Sequence, residues 1–103
     1  MKKIKKIEEI EKYFDKSKNA YYFIEDNKLI DVKFTFDIKT ESNIYAWNVV
    51  GKDISAKKVL ANKIKCRYIE VDEADIVKIK TKQNLNKMYK IIEYPGNTLM
   101  FRK

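Results

Sequence analysis

Apolar residues recur along this chain in two rhythms, and each predicts a different element. Over residues 3 to 17, Ile4, Ile7, Ile10 and Phe14 return at spacings of three and four, the single stripe of an amphipathic helix. Glu8 and Lys12 form an i,i+4 pair on its wet side. From Ile30 to Lys39 the rhythm becomes strict alternation. Ile30, Val32, Phe34, Phe36 and Ile38 share one face, and Asp31, Lys33, Thr35, Asp37 and Lys39 share the other, as in a long half-buried strand. "AYYFIE" predicts a shorter strand before it, with Asp26-Asn27-Lys28 as a turn that tolerates positive φ. After a loop over Thr40 to Asn43, "IYAWNVV" predicts a third strand, covered on both faces.

Gly51 ends that strand, and Asp53 is placed to cap a second helix over residues 54 to 65, with Ala56, Val59, Leu60 and Ile64 as its apolar stripe. "CRYIEV" and "DIVKIKT" predict two more strands, with the acids Glu70, Asp72, Glu73 and Asp75 in a turn between them. The terminal pair "KMYKIIEY" and "TLMFR" flanks Pro95-Gly96-Asn97, a hairpin signal. No repeat stands out at a solenoid period. The expected fold is a single globular α+β domain over residues 1–103. It is a mostly antiparallel sheet with two packed helices, in the order αβββα followed by three to four strands.

Charge adds a functional expectation. The net charge is +8, from 23 Lys and Arg against 15 Asp and Glu, which favours an anionic partner. The cations are clustered. Residues 51 to 68 carry six cations and one acid, and residues 80 to 103 the same, whereas residues 20 to 50 carry three cations and five acids. Arg67 and Arg102 are the only arginines. Lysine is a looser point charge than arginine, so sequence-tolerant backbone binding is expected. Lys, Ile, Asn and Tyr make 50 of the 103 residues, all with A/T-rich codons, so composition bias competes as a source of the lysines. On the expected second helix, Lys57, Lys58, Asn62 and Lys65 share one arc. Lys52, Lys57, Lys58, Lys65 and Arg67 are the candidate phosphate contacts.

Catalytic templates are poorly served. The chain has no histidine, which removes His-based acid–base catalysis and His-ligated zinc. Ser17, Ser42 and Ser55 sit in no nucleophile elbow, and "VVGKDIS" lacks the earlier glycine and the Ser/Thr of a Walker loop. Cys66, the single cysteine, reads as a small buried side chain and fits a reducing cytoplasm. The basic start "MKKIKKIEEIEKYF" is interrupted by acids before any signal-peptide apolar run. No enzyme activity, cofactor, metal or membrane partner is expected. The leading expectation is a small non-enzymatic protein that binds nucleic acid through its phosphate backbone. The alternative is a protein-interaction module, a regulator or inhibitor of a larger host machine of the mobile-element type, with Tyr45 and Trp47 as its contacts.

Overall fold

Between Asp53 and Lys80 the buried positions come in pairs: Ile54 and Ala56, Val59 and Ala61, Ile64 and Cys66, Ile69 and Val71, Ala74 and Ile76. The pairs repeat every five residues, two side chains inward and three outward. That rhythm is incompatible with the helix expected over 54 to 65. Five residues advance a helix by about 140° beyond one full turn, so Ile54, Val59 and Ile64 would point three different ways. Extended backbone that bends after each pair buries all of them, and these β-branched residues suit it.

The computed structural model describes residues 1–85, 89–94 and 98–102. Its elements are β1 (Lys2–Ile4), a 3-10 helix (Ile7–Tyr13), β2 (Phe14–Asp15), β3 (Ala20–Tyr22), β4 (Ile24–Glu25), β5 (Lys28–Leu29), β6 (Val32–Phe34), β7 (Ile38–Lys39), β8 (Asn43–Tyr45), β9 (Asn48–Val50), β10 (Asp53–Lys65), β11 (Tyr68–Lys80), β12 (Lys90–Tyr94) and β13 (Thr98–Arg102). The long strands β10 and β11 run parallel from Asp53↔Tyr68 to Lys65↔Lys80, an offset of fifteen residues. The ladder skips Lys57/Asp72 and Asn62/Val77, which are the corners. Each coil therefore has three short sides, and three five-residue units make one turn. β8 and β9 pair with β10 at the same offset, and β7 pairs with it at an offset of sixteen. β6 continues the stack on β9, and β1 on β6, both parallel.

The chain is thus a solenoid-like, mostly β structure, and the expected α+β sheet with two packed helices is wrong. The predicted helix over 54 to 65 is β10. Of the one over 3 to 17, Ile4 belongs to β1 and only Ile7–Tyr13 is helical, as a 3-10 segment. Its period of three lines up Ile7, Ile10 and Tyr13 on one face; Ile10 and Tyr13 are in the core, whereas Ile7, the first residue of the segment, is exposed. The expectation of a mostly antiparallel sheet fails as well: among the described residues four pairs are antiparallel, β2 with β3, β4 with β5, β11 with β13 and β12 with β13, whereas the seven pairs that stack the coils are parallel. The acidic run lies within β11, not in a turn. A repeat does exist, at five and fifteen residues.

Other expectations hold. Val32, Phe34 and Ile38 are buried and Ile30 and Phe36 pack against them, although the strand is bent into β6 and β7. Asp26 and Asn27 have φ of 51° and 61°, the mirror-image turn geometry of a two-residue hairpin. Pro95-Gly96-Asn97 lies outside the described residues, while β12 and β13 on either side pair antiparallel.

Both ends of the coil stack are closed. At the N-terminal end Tyr13 packs on Phe23 (4.9 Å between ring centroids) and Phe23 on Phe34 (5.6 Å). At the other end β13 lies between β12 and β11 and covers Glu73–Ile76 of β11. The neighbouring edge is satisfied by side chains. The Ile69 N–H donates to Gln83 Oε1 (2.6 Å), Gln83 Nε2 donates to the Ile69 carbonyl (3.1 Å), and the Val71 N–H donates to Tyr89 Oη (3.1 Å).

Two outcomes check this architecture. Far-UV circular dichroism should show a β spectrum without a helical component from residues 54 to 65. Ile64→Ala, at the centre of the coil stack, should cost about 2–5 kcal/mol in urea unfolding. A loss below about 1 kcal/mol would mean that Ile64 is not enclosed on all sides.

Candidate functional site

In a parallel ladder the residue opposite each outward side chain is fixed by register, so every outward position builds a column along the stack. On the side formed by β9 and the ends of β10 and β11, one column runs Asn48, Lys63, Lys78. The next runs Lys3, Lys33, Val50, Lys65, Lys80. Lys3, Lys33, Lys63, Lys65, Lys78 and Lys80 are all exposed. Lys63 stands directly opposite Lys78, and Lys65 opposite Lys80, at the roughly 4.8 Å spacing of adjacent strands. Among the described residues none of these six lysines makes an ion pair. Asp31, before Val32, is the acid of this side, and one of its carboxylate oxygens accepts the Asn48 N–H at 3.2 Å.

The adjoining corner extends the positive charge. Lys52 is followed fifteen residues later by Arg67, and the Arg67 N–H donates to the Lys52 carbonyl at 2.9 Å. The Arg67 guanidinium, however, is engaged with Asp53 through Nε (2.9 Å) and Nη2 (3.0 Å). These bonds hold the Asp53 carboxyl below the usual carboxylate range and raise Arg67 further. Arg67 adds little unpaired charge unless a phosphate displaces Asp53.

The second side, formed by β8 and the middle of β10 and β11, is different. Lys58 stands opposite Glu73, with Nζ 3.4 Å from Oε1, and Lys57 occupies the corner opposite the gap at Asp72. The five candidate phosphate contacts therefore divide. Lys52 and Lys65 belong to the lysine side with Arg67 at its border, whereas Lys57 and Lys58 face elsewhere beside carboxylates. The helical arc expected to unite Lys57, Lys58 and Lys65 does not exist. Lys3, Lys33, Lys63, Lys78 and Lys80 were not among the candidates; the signal for the last three is the fifteen-residue offset, which places Lys63 above Lys78 and Lys65 above Lys80, whereas Lys33 and Lys3 join at offsets of 17 and 30.

The two candidate interface aromatics also separate. Tyr45 is half-buried on the second side, its ring edge-on to Tyr22 at 5.7 Å between centroids. Trp47 occupies the corner between the second side and the lysine side and is 50% exposed. Its carbonyl accepts the Asn62 N–H at 2.7 Å and its N–H donates to the Ile30 carbonyl at 2.9 Å, so its backbone is held on both flanks.

The acids of the run 70 to 75 point to different sides of the coil, and among the described residues no group of three His, Cys, Asp or Glu is placed to hold a metal ion. No described helix is long and apolar enough to cross a membrane. No protein-family model matches the chain, nor does a curated protein or a solved structure.

Cys66 is buried in the inward column of Phe34, Gly51 and Thr81. Burial pushes its thiol up, the Thr81 hydroxyl opposes this, and the Asp53 charge adds to it. A raised thiol pKa keeps the sulfur protonated and unreactive through neutral and mildly alkaline pH. The folded protein should therefore consume a thiol reagent such as 5,5′-dithiobis(2-nitrobenzoate) at least about tenfold more slowly than the denatured chain at pH 8. Equal rates would place Cys66 at the surface.

Proposed function

We propose that this is a non-enzymatic protein that binds a nucleic-acid backbone on its lysine side, with little dependence on sequence. One observation carries the reading: in adjacent strands lysine is registered opposite lysine three times, at Lys3↔Lys33, Lys63↔Lys78 and Lys65↔Lys80, where the second side registers Lys58 opposite Glu73. Like charges directly opposite each other across a ladder destabilise a sheet. An arrangement that costs stability in the free protein is relieved when phosphates lie between the ammonium groups and their counterions are released. Solvation alone would be served as well by the mixed charges of the second side. Lysine, rather than arginine, contacts phosphate as a point charge without reading base edges.

Protein interaction remains the second reading, favoured by the exposure of Trp47 and Val77 (50% and 40%) at one corner. A partner bound there and not on the lysines would support it.

Two variants of equal charge loss separate the lysine side from bulk charge. Lys65→Gln with Lys80→Gln should weaken oligonucleotide binding about tenfold at low salt and reduce the slope of log affinity against log salt by roughly 1 to 2. Lys57→Gln with Lys58→Gln should change affinity less than about threefold. Fluorescence anisotropy across a salt series reads both. Equal losses would reduce the lysine side to its share of the net charge, and no salt-dependent binding by the unaltered protein would remove the proposal.

A further inference from the structure

The lysine side does not end on a polar corner. At its border Trp47, Leu60 and Val77 frame a shallow recess of about 200 Å³, completed by Leu29, Ala46, Ala61, Asn62 and Asp75. We infer that this recess receives an unpaired nucleobase stacked on Trp47, so that the preferred ligand of the lysine side is single-stranded. The inference rests on the nucleic-acid reading above and adds the form of the ligand.

Three observations support it. First, Trp47 is next in chain to Asn48, the head of the column that continues to Lys63 and Lys78, so the aromatic borders the cationic track directly. A cationic track beside an accessible ring is the arrangement by which proteins hold single strands without sequence preference. Second, the charge changes sign across this corner. Phosphates meet Lys63 and Lys78 on one side, while the carboxylate of Asp75 on the recess side is an acceptor suited to a base N–H donor and would repel a phosphate. A base offers N–H donors and no charge, so the recess suits the base and the lysines suit the backbone. Asn62 adds a second polar group, its Nδ2 donating to Asn48 Oδ1 at 3.0 Å. Third, the recess has the scale of one ring system, well below the roughly 300–1,000 Å³ of clefts that enclose whole small molecules. A duplex keeps its bases inside the stack and cannot use it without unpairing.

The corner is also built by an insertion. β3 pairs with β8 at an offset of 23 and β6 with β9 at an offset of 17, so six extra residues enter between them. They are the hairpin of β4 and β5, Ile24 to Leu29, closed where the Ile30 N–H donates to the Phe23 carbonyl (2.9 Å). Leu29 from this hairpin forms one wall of the recess.

Trp47 is the only tryptophan, so its emission reports on the recess without a label. The unaltered protein, Trp47→Ala and Trp47→Phe are titrated with single-stranded DNA, single-stranded RNA, a DNA duplex of equal length and heparin, a polyanion without bases. Trp47→Ala should weaken both single strands by about fivefold or more, leave duplex and heparin within about twofold, and retain the circular dichroism of the unaltered protein. Trp47→Phe should keep most of the single-strand affinity. The emission should be quenched by single strands and not by heparin. The DNA and RNA arms decide which sugar is preferred. If single strand, duplex and heparin lose affinity equally in Trp47→Ala, or if emission responds to none of them, base stacking is overturned and the lysine track stands. If the unaltered protein binds none of the four, both readings fall. Binding of a protein at the Trp47 corner that nucleic acid does not displace would also overturn the inference.

Discussion

The structure depends on one constraint: in every five residues, two apolar side chains must be enclosed by a chain that turns a corner before the next two. Parallel stacking at a fifteen-residue offset meets that demand because each inward pair lies over the pair of the previous coil, in columns such as Val32, Val49, Ile64 and Ile79. The core is a set of short aliphatic and aromatic columns, and enclosing each Val or Ile contributes about 1.5–3 kcal/mol. Packing within these columns is close at Gly51, where a Cβ would lie 3.2 Å from Ile54 Cδ1 and 3.8 Å from the Phe34 ring, so the Ile54 side chain fills the space that a larger residue at 51 would need.

A stack of coils has two open ends, and the chain closes them by different means. Aromatic rings from the 3-10 helix and the first coil fill the N-terminal end. At the other end the amide of Gln83 occupies the place of a neighbouring strand, donating to and accepting from the same residue, Ile69. Side-chain closure satisfies buried backbone groups that would otherwise cost about 1–3 kcal/mol each, and it leaves the outward columns open to solvent along the whole stack.

Those outward columns carry the proposed binding surface. Three of every five positions are released from the core, so their identities can be chosen for charge. The second side uses that freedom to set Lys58 against Glu73, whereas the lysine side repeats lysine. The corner residues are the most prominent of all, which is why Trp47 can keep half of its surface exposed while its backbone is bonded on both flanks. Core packing and surface charge are thus distributed over different positions of the same strands.

The sequence by itself determined the net charge, the apolar alternation of residues 30 to 38, the left-handed turn at Asp26 and Asn27, and the burial of Cys66, because each depends on a residue and its immediate neighbours. It also contained the five-residue rhythm, but the helix stripe Ala56, Val59, Leu60, Ile64 and the coil positions Ala56, Val59, Ala61, Ile64 share three members. Leu60 and Ala61 alone separate them, and small alanine is a weak marker of an inward position. Tertiary structure decided the rest. Whether Lys65 joins Lys33 and Lys80 or Lys57 and Lys58 depends on which residues become neighbours across the stack. Those neighbours are set by the offset between coils, a long-range quantity that the local spacing of lysines along the chain does not encode.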